Sequence, residues 1–299
     1  MSFSLTDNVE TSPEDIMYTS LETLYDFAPV MHSSAGSLFT HIRPASLDLP
    51  PEAAHAPLTI SLLTPDTRAE NWSLHASTIW VASLYIADHL EDLHLDRHDP
   101  SSTSTRPIRV LELGAGAGLP SILISKSYAH VEVTSSDYPD AELIRTLEDN
   151  VKRNHVADRC RAVPFAWGSD PALLAPKHDS QLAVGEDSLP AFGFDVIVAA
   201  DTLWNSEVHH LLIDTLSRTL SRTEHARVHL VAGLHTGRYT IQTFLNSAEN
   251  AGFQIQEAVE REVKGDGRRV WQVERAEGED ERERRRWVVW IILKWNGHT

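Results

Sequence analysis

Glu112, Gly114, Gly116 and Gly118 fall close together in the run RVLELGAGAGLP, and this spacing of an acid and alternating glycines has a definite chemical use. Glycines free the backbone from Cβ sterics, so a loop can pass close beneath a ligand. Loops that hold a dinucleotide present a helix N-terminus to its pyrophosphate, and an acid is unhelpful there. An acid at that place suits a ligand with a cationic group instead. Asp137, which closes the run VEVTSSD, suits ribose hydroxyls, a task it would perform for either kind of nucleoside cofactor. A third group, Asp201, Trp204 and Asn205 in AADTLWN, sets an acid, an aromatic face and an amide side by side. Plainer roles exist for each: Glu112 as a solvated strand-end acid, Asp137 as the cap of the next helix, Asp201 as the cap of a short turn.

Hydropathy periods place these residues on elements. Apolar strands are expected at 109–114, 131–137, 161–167, 194–201, 227–235, 253–262 and 287–295. Helical spacing recurs at 119–129, 140–154, 208–220 and 239–251, and earlier at about 73–93, where Ile79, Ala82, Leu84, Ile86, Ala87 and Leu90 share a stripe. Such alternation predicts a parallel sheet covered by helices on both faces. Ligands of open α/β sheets bind beyond the carboxyl ends of the strands, where all three groups above fall. The stretch 265–286 is charged and lacks an apolar helix, so the last two strands are expected to pair antiparallel at one sheet edge, with EDERERRR as a solvated tip. Six parallel strands plus one reversed make the seven-stranded, Rossmann-like class I methyltransferase layout. Taken with the glycine loop and Glu112, this favours S-adenosyl-L-methionine over NAD as cofactor.

Before that core come a peripheral strand at 58–63 and the helix after it, together 58–105. The core itself is 106–299. Residues 1–57 form an N-terminal extension, partly irregular, with a helix expected from Ser12-Pro13 and a stripe of Ile16, Leu21, Leu24 and Phe27. This extension is the natural place for a protein partner to dock.

Composition narrows the partners. The net charge of −17 argues against nucleic acid, since a phosphate backbone would be repelled. Cys160 alone forms no internal disulfide and fits a reducing compartment. The opening residues show no signal-peptide pattern, and no apolar run approaches the ~20 residues that span a bilayer. A soluble protein of the cytoplasm, with the nucleus as a second compartment, is expected. Sixteen histidines invite a metal search, but His209, His210, His225, His229 and His235 show no ligand spacing with acids or cysteines, so no metal is expected.

ELGAGAGLPSI, SSDYPDAELIRTLEDNVKRN, FAWG and FDVIVAADTLWNSEVHHLL together resemble the methyltransferase-16 family, which includes lysine-specific protein methyltransferases. The likeness runs from about Leu58 to Trp295 and points to its fungal branch, described as nicotinamide N-methyltransferase-like. That branch includes an enzyme acting on the N-terminus and a lysine of elongation factor 1-alpha. The resemblance implies that Trp80 lies near the cofactor and that Gly114, Ala115 and Gly116 contact its methionine part. It further implies ribose at Asp137, adenine beside Trp167 and a contact from Ala200. Tyr138 and Trp204 offer π faces to a cationic acceptor. Lysine-directed members typically carry an acid, two residues and Tyr after the fourth strand. Here Asp201 is followed by Trp204 instead. His235 and Arg238 in GLHTGR are expected at the edge of the same site.

The expected activity is therefore N-methylation of a protein lysine or N-terminal amine, with Asp201 orienting the amine. A small-molecule pyridine acceptor is the alternative. A different class is a methyltransferase-fold subunit of a regulatory complex with weak or no catalysis.

Overall fold

A computed structural model describes residues 29–43, 57–66, 74–95, 106–175 and 192–297. The helix expected from Ser12 and its stripe lie outside these residues. The central sheet has eight strands: β3 (Ile108–Leu113), β4 (Val131–Asp137), β5 (Cys160–Pro164), β6 (Val196–Ala200), β7 (Arg227–Gly233), β8 (Phe253–Glu262), β9 (Arg268–Val270) and β10 (Trp287–Trp295). Their order is β5-β4-β3-β6-β7-β10-β8-β9. The first five are parallel, and β10 runs antiparallel between β7 and β8. This is the class I methyltransferase layout, extended by the short edge strand β9, which pairs antiparallel with β8. A separate hairpin, β1 (Leu38–Arg43) and β2 (Leu58–Leu63), packs outside it.

Strand patterning explains the layers. β6 reads VIVAA because both its faces are covered. Alternate residues then serve two cores. Val110, Val133, Val198 and Val231 meet α1 (Val81–Asp88) and α2 (Leu119–Ser127) on one face. Leu111, Leu113, Ile197 and Leu230 meet α4 (His209–Thr219) and α5 (Arg238–Asn250) on the other. α3 (Ala141–Arg153) buries Leu143, Leu147 and Val151, and its cap is Asp140, which accepts from the amides of Glu142 and Leu143. The cap is thus not Asp137, which leaves Asp137 free for another task. Cys160 is buried at the start of β5, and burial pushes its thiol up to about 12, which makes it inert.

Two stretches differ from expectation. The helix expected over 73–93 begins only at Val81, because residues 30–32 pair with 79–81: the His32 amide donates to Ile79 O and the Val81 amide to Val30 O, each over 2.9 Å. That pairing holds residues ahead of α1 extended. The charged connection 265–286 is also not simply a solvated tip. It folds back so that the Glu279 side chain, 4% exposed, meets Arg238 and Arg269, while the short helix α6 (Glu281–Arg285) stays at the surface.

Candidate active site

At the carboxyl end of β3 the chain turns through Gly114, Gly116 and Gly118, all at positive φ, into the first turn of α2. Gly114 has two reasons to lack a Cβ. Its φ is +69°, and a Cβ there would sit 2.9 Å from the Thr202 methyl group and 3.6 Å from the Trp167 ring. The Gly116 amide donates to Asp137 Oδ2 over 2.6 Å, and the Tyr138 amide donates to Oδ1 over 2.7 Å. Asp137 thereby braces the loop. Burial raises its carboxyl to about 6 against those two hydrogen bonds.

Glu112 is buried beneath the same loop. Its Oε2 accepts from the Ser121 amide over 3.1 Å and from the Ser121 hydroxyl, which ties β3 to the first turn of α2. Burial pushes its carboxyl up to about 8. Burial thus favours its neutral form.

Asp201 follows β6 in a left-handed conformation, φ +51°, which is unusual for a residue with a side chain. Its surroundings over-determine it. Oδ2 accepts from the Ala82 amide in the first turn of α1 over 3.1 Å, and Oδ1 accepts from the Gly233 amide at the end of β7 over 2.6 Å. Both carboxylate oxygens are thus engaged with the backbone, so Asp201 positions the wall of the site. Each oxygen keeps one further lone pair, so contact with an acceptor would be added to this structural task.

These elements enclose a cavity of about 530 Å³. Twelve of the residues named from the sequence line it, Trp80, Glu112, Gly114, Ala115, Gly116, Asp137, Tyr138, Trp167, Ala200, Asp201, Trp204 and Asn205, and His235 does as well, whereas Gly118 does not. Trp80 stacks on His235 with ring centres 5.4 Å apart, and its Nε1 donates to His75 O over 2.7 Å. His75 in turn stands edge-on to Trp204 at 4.9 Å. Sequence reasoning missed His75, which lies in no quoted segment, and did not single out Phe165, Thr202 and Leu211 within the segments it quoted. Arg238, expected at the edge, is absent from the lining. Its guanidinium is fully buried against Glu260 and Glu279, at 2.6 and 2.7 Å. Three buried polar atoms of the lining residues lack hydrogen-bond partners: Thr202 Oγ1, Thr236 Oγ1 and His235 Nδ1. Orphaned polar atoms in a mostly apolar recess suit a ligand that supplies the missing partners.

A family model described as lysine methyltransferase matches residues 66–251, more than half of the chain. The chain belongs to the lysine methyltransferase family. Protein N-terminal and lysine N-methyltransferase efm7 of Schizosaccharomyces pombe is 30% identical over 191 residues, covering 63% of this chain and 68% of the relative. The relative of the same name from Gibberella zeae is 30% identical over 202 residues, covering 63% and 69%. The one from Candida albicans is 32% identical over 155 residues, covering 50% and 54%. As a member of this family the chain is a methyltransferase, and its cavity contains Gly114 and Gly116 of the glycine loop together with the strand-end and aromatic positions described above.

Proposed function

We propose that this methyltransferase transfers a methyl group from S-adenosyl-L-methionine to a protein amine, either an N-terminal amine or a lysine side chain. The observation that carries the reading is a single cavity lined both by the glycine loop with Asp137 and by the aromatic group His75, Trp80 and Trp204. The relatives' names, protein N-terminal and lysine N-methyltransferase, support the acceptor class.

When bound, S-adenosyl-L-methionine supplies a sulfonium-activated methyl group. The chain's own part is to bind, align and keep water out. Gly114, Ala115 and Gly116 leave room for the methionine portion, and the Asp137 carboxylate accepts hydrogen bonds from ribose hydroxyls. Trp167 and Phe165 offer apolar faces to the adenine, with Ala200 alongside. Glu112 keeps the loop and α2 in register, and a cation drawn close would favour its ionised form. Trp80 and Trp204 offer indole faces to an ammonium, each such contact being worth ~0.5–2 kcal/mol, with His75 set edge-on to both. Asp201 and Asn205 shape the segment that carries Trp204, Asn205 by accepting from the Glu207 amide over 3.0 Å.

The test is to incubate the full chain with radiolabelled donor and a cell lysate, then separate protein from small molecules. Label is expected in protein, released on hydrolysis as methylated lysine or a methylated N-terminal residue. Label confined to the small-molecule fraction would replace this acceptor class with a free amine or pyridine.

A further inference from the structure

An amine acceptor arrives as an ammonium, with a lysine near pKa ~10.4, and cannot attack until it loses a proton. The acid expected to help it, Asp201, has both oxygens engaged by the Ala82 and Gly233 amides. Two other bases lie among the aromatic residues of the cavity, His75 and His235.

Three observations separate them. The Nδ1 atom of His235 is buried without a hydrogen-bond partner. Its ring is held flat against Trp80, 16° from parallel, whereas His75 meets Trp80 and Trp204 edge-on. And a place has been kept for it: a Cβ on Gly233 would lie 2.3 Å from His235 Nδ1 and 2.4 Å from its Cε1. Gly233 has φ −66°, where any residue is at ease, so the missing side chain serves the imidazole rather than the backbone. The same glycine gives its amide to Asp201 over 2.6 Å, so acid and imidazole flank one backbone position. A carboxylate on the far side of that position would favour an imidazolium once it forms.

We propose that His235 takes the proton from the acceptor amine. This rests on the reading above that the acceptor is an amine. In the step, one N–H bond of the ammonium breaks and its electron pair stays on the acceptor nitrogen as the lone pair that attacks the methyl group. The proton bonds to Nε2, since Nδ1 is buried and out of reach of the acceptor, and then passes to solvent. The charged and titratable groups around His235 are Asp201 after β6, His75 across Trp80, and Glu112, Asp137 and Tyr138 elsewhere on the cavity wall. On the outer side α6 packs against the turn that carries His235 and brings Glu281, Arg282, Glu283, Arg284 and Arg285. Arg238, three residues on, faces its own carboxylates.

The experiment compares wild type, His235→Ala and His75→Ala in methyl transfer to a pool of synthetic peptides, each with one lysine and a free N-terminus. Calorimetry with S-adenosylhomocysteine serves as a second readout. His235→Ala is expected to lose on the order of 100-fold in rate at neutral pH. It should keep S-adenosylhomocysteine affinity within about twofold, recover rate steadily as pH rises, and be partly rescued by added imidazole. His75→Ala should not be rescued. A His235→Ala variant with wild-type rate and pH profile overturns the proposal. So does a loss that neither imidazole nor high pH restores, which would mark His235 as packing for Trp80. A wild-type protein that labels no peptide and no lysate protein would instead overturn the amine reading itself, and this proposal with it.

Discussion

Glu112 carries its carboxyl where solvent does not reach, and burial pushes it from an ordinary 4.5 up to about 8. Between those values the folded chain holds a proton that the unfolded chain has released. Folding stability from this group is therefore complete below about pH 4.5 and is lost as pH rises towards about 8. Asp137 acts with the same sign over a lower window, from 3.8 to about 6. Above that window Glu112 alone of the two still titrates, with a slope of at most about 1.4 kcal/mol per pH unit. Glu112→Gln keeps an acceptor for the Ser121 amide and removes the proton. Thermal melts should fall more steeply for wild type than for the variant between about pH 6.5 and 7.5. Parallel falls would mean that the carboxylate is ionised throughout. The same residue marks what a sequence conceals. That twelve residues would converge could be read, because parallel strands deliver their carboxyl ends to one side of the sheet. What each acid binds could not. Ser121 holds Glu112 across 9 residues, and the Ala82 amide reaches Asp201 across 119.

At the scale of elements, the alternation from β3 to β8 and the reversed β10 were legible because each depends on local hydropathy. The extended path ahead of α1 was not, since it is imposed by pairing with residues 30–32, far away in sequence. The connection between β8 and β10 was misread for a related reason. Its charges look solvated until α5 is placed beside it. Arg238 then bridges Glu260 and Glu279, and Arg269 and Arg275 close on Glu260 at 2.6 and 2.7 Å. A buried arginine removed from two carboxylates leaves them uncompensated. Arg238→Met should therefore lower unfolding free energy by about 3–5 kcal/mol in urea titrations. Lys152→Ala, which loses exposed pairs with Glu148 and Asp149, should change it by under about 1 kcal/mol. Equal losses from the two would show that the cluster is no stronger than a surface pair.

For the molecule as a whole, the cavity joins segments on both sides of the sheet, so a ligand there should stabilise all of it. At a hundred times its dissociation constant a ligand adds about 2.7 kcal/mol. For a chain of this size that raises Tm by about 3 °C or more. S-adenosylhomocysteine is expected to give such a shift, NAD none, and Asp137→Ala to abolish most of it. Equal shifts with both ligands would mean that the glycine loop does not discriminate. Asp201 has a further consequence at this scale. Its two hydrogen bonds tie the middle of the sheet to α1 and to the end of β7, segments 119 and 32 residues away from it. Removing that acid would loosen α1 and the end of β7 from the centre of the sheet at once, so the shape of the whole cavity hangs on one side chain that needs no ligand to be occupied.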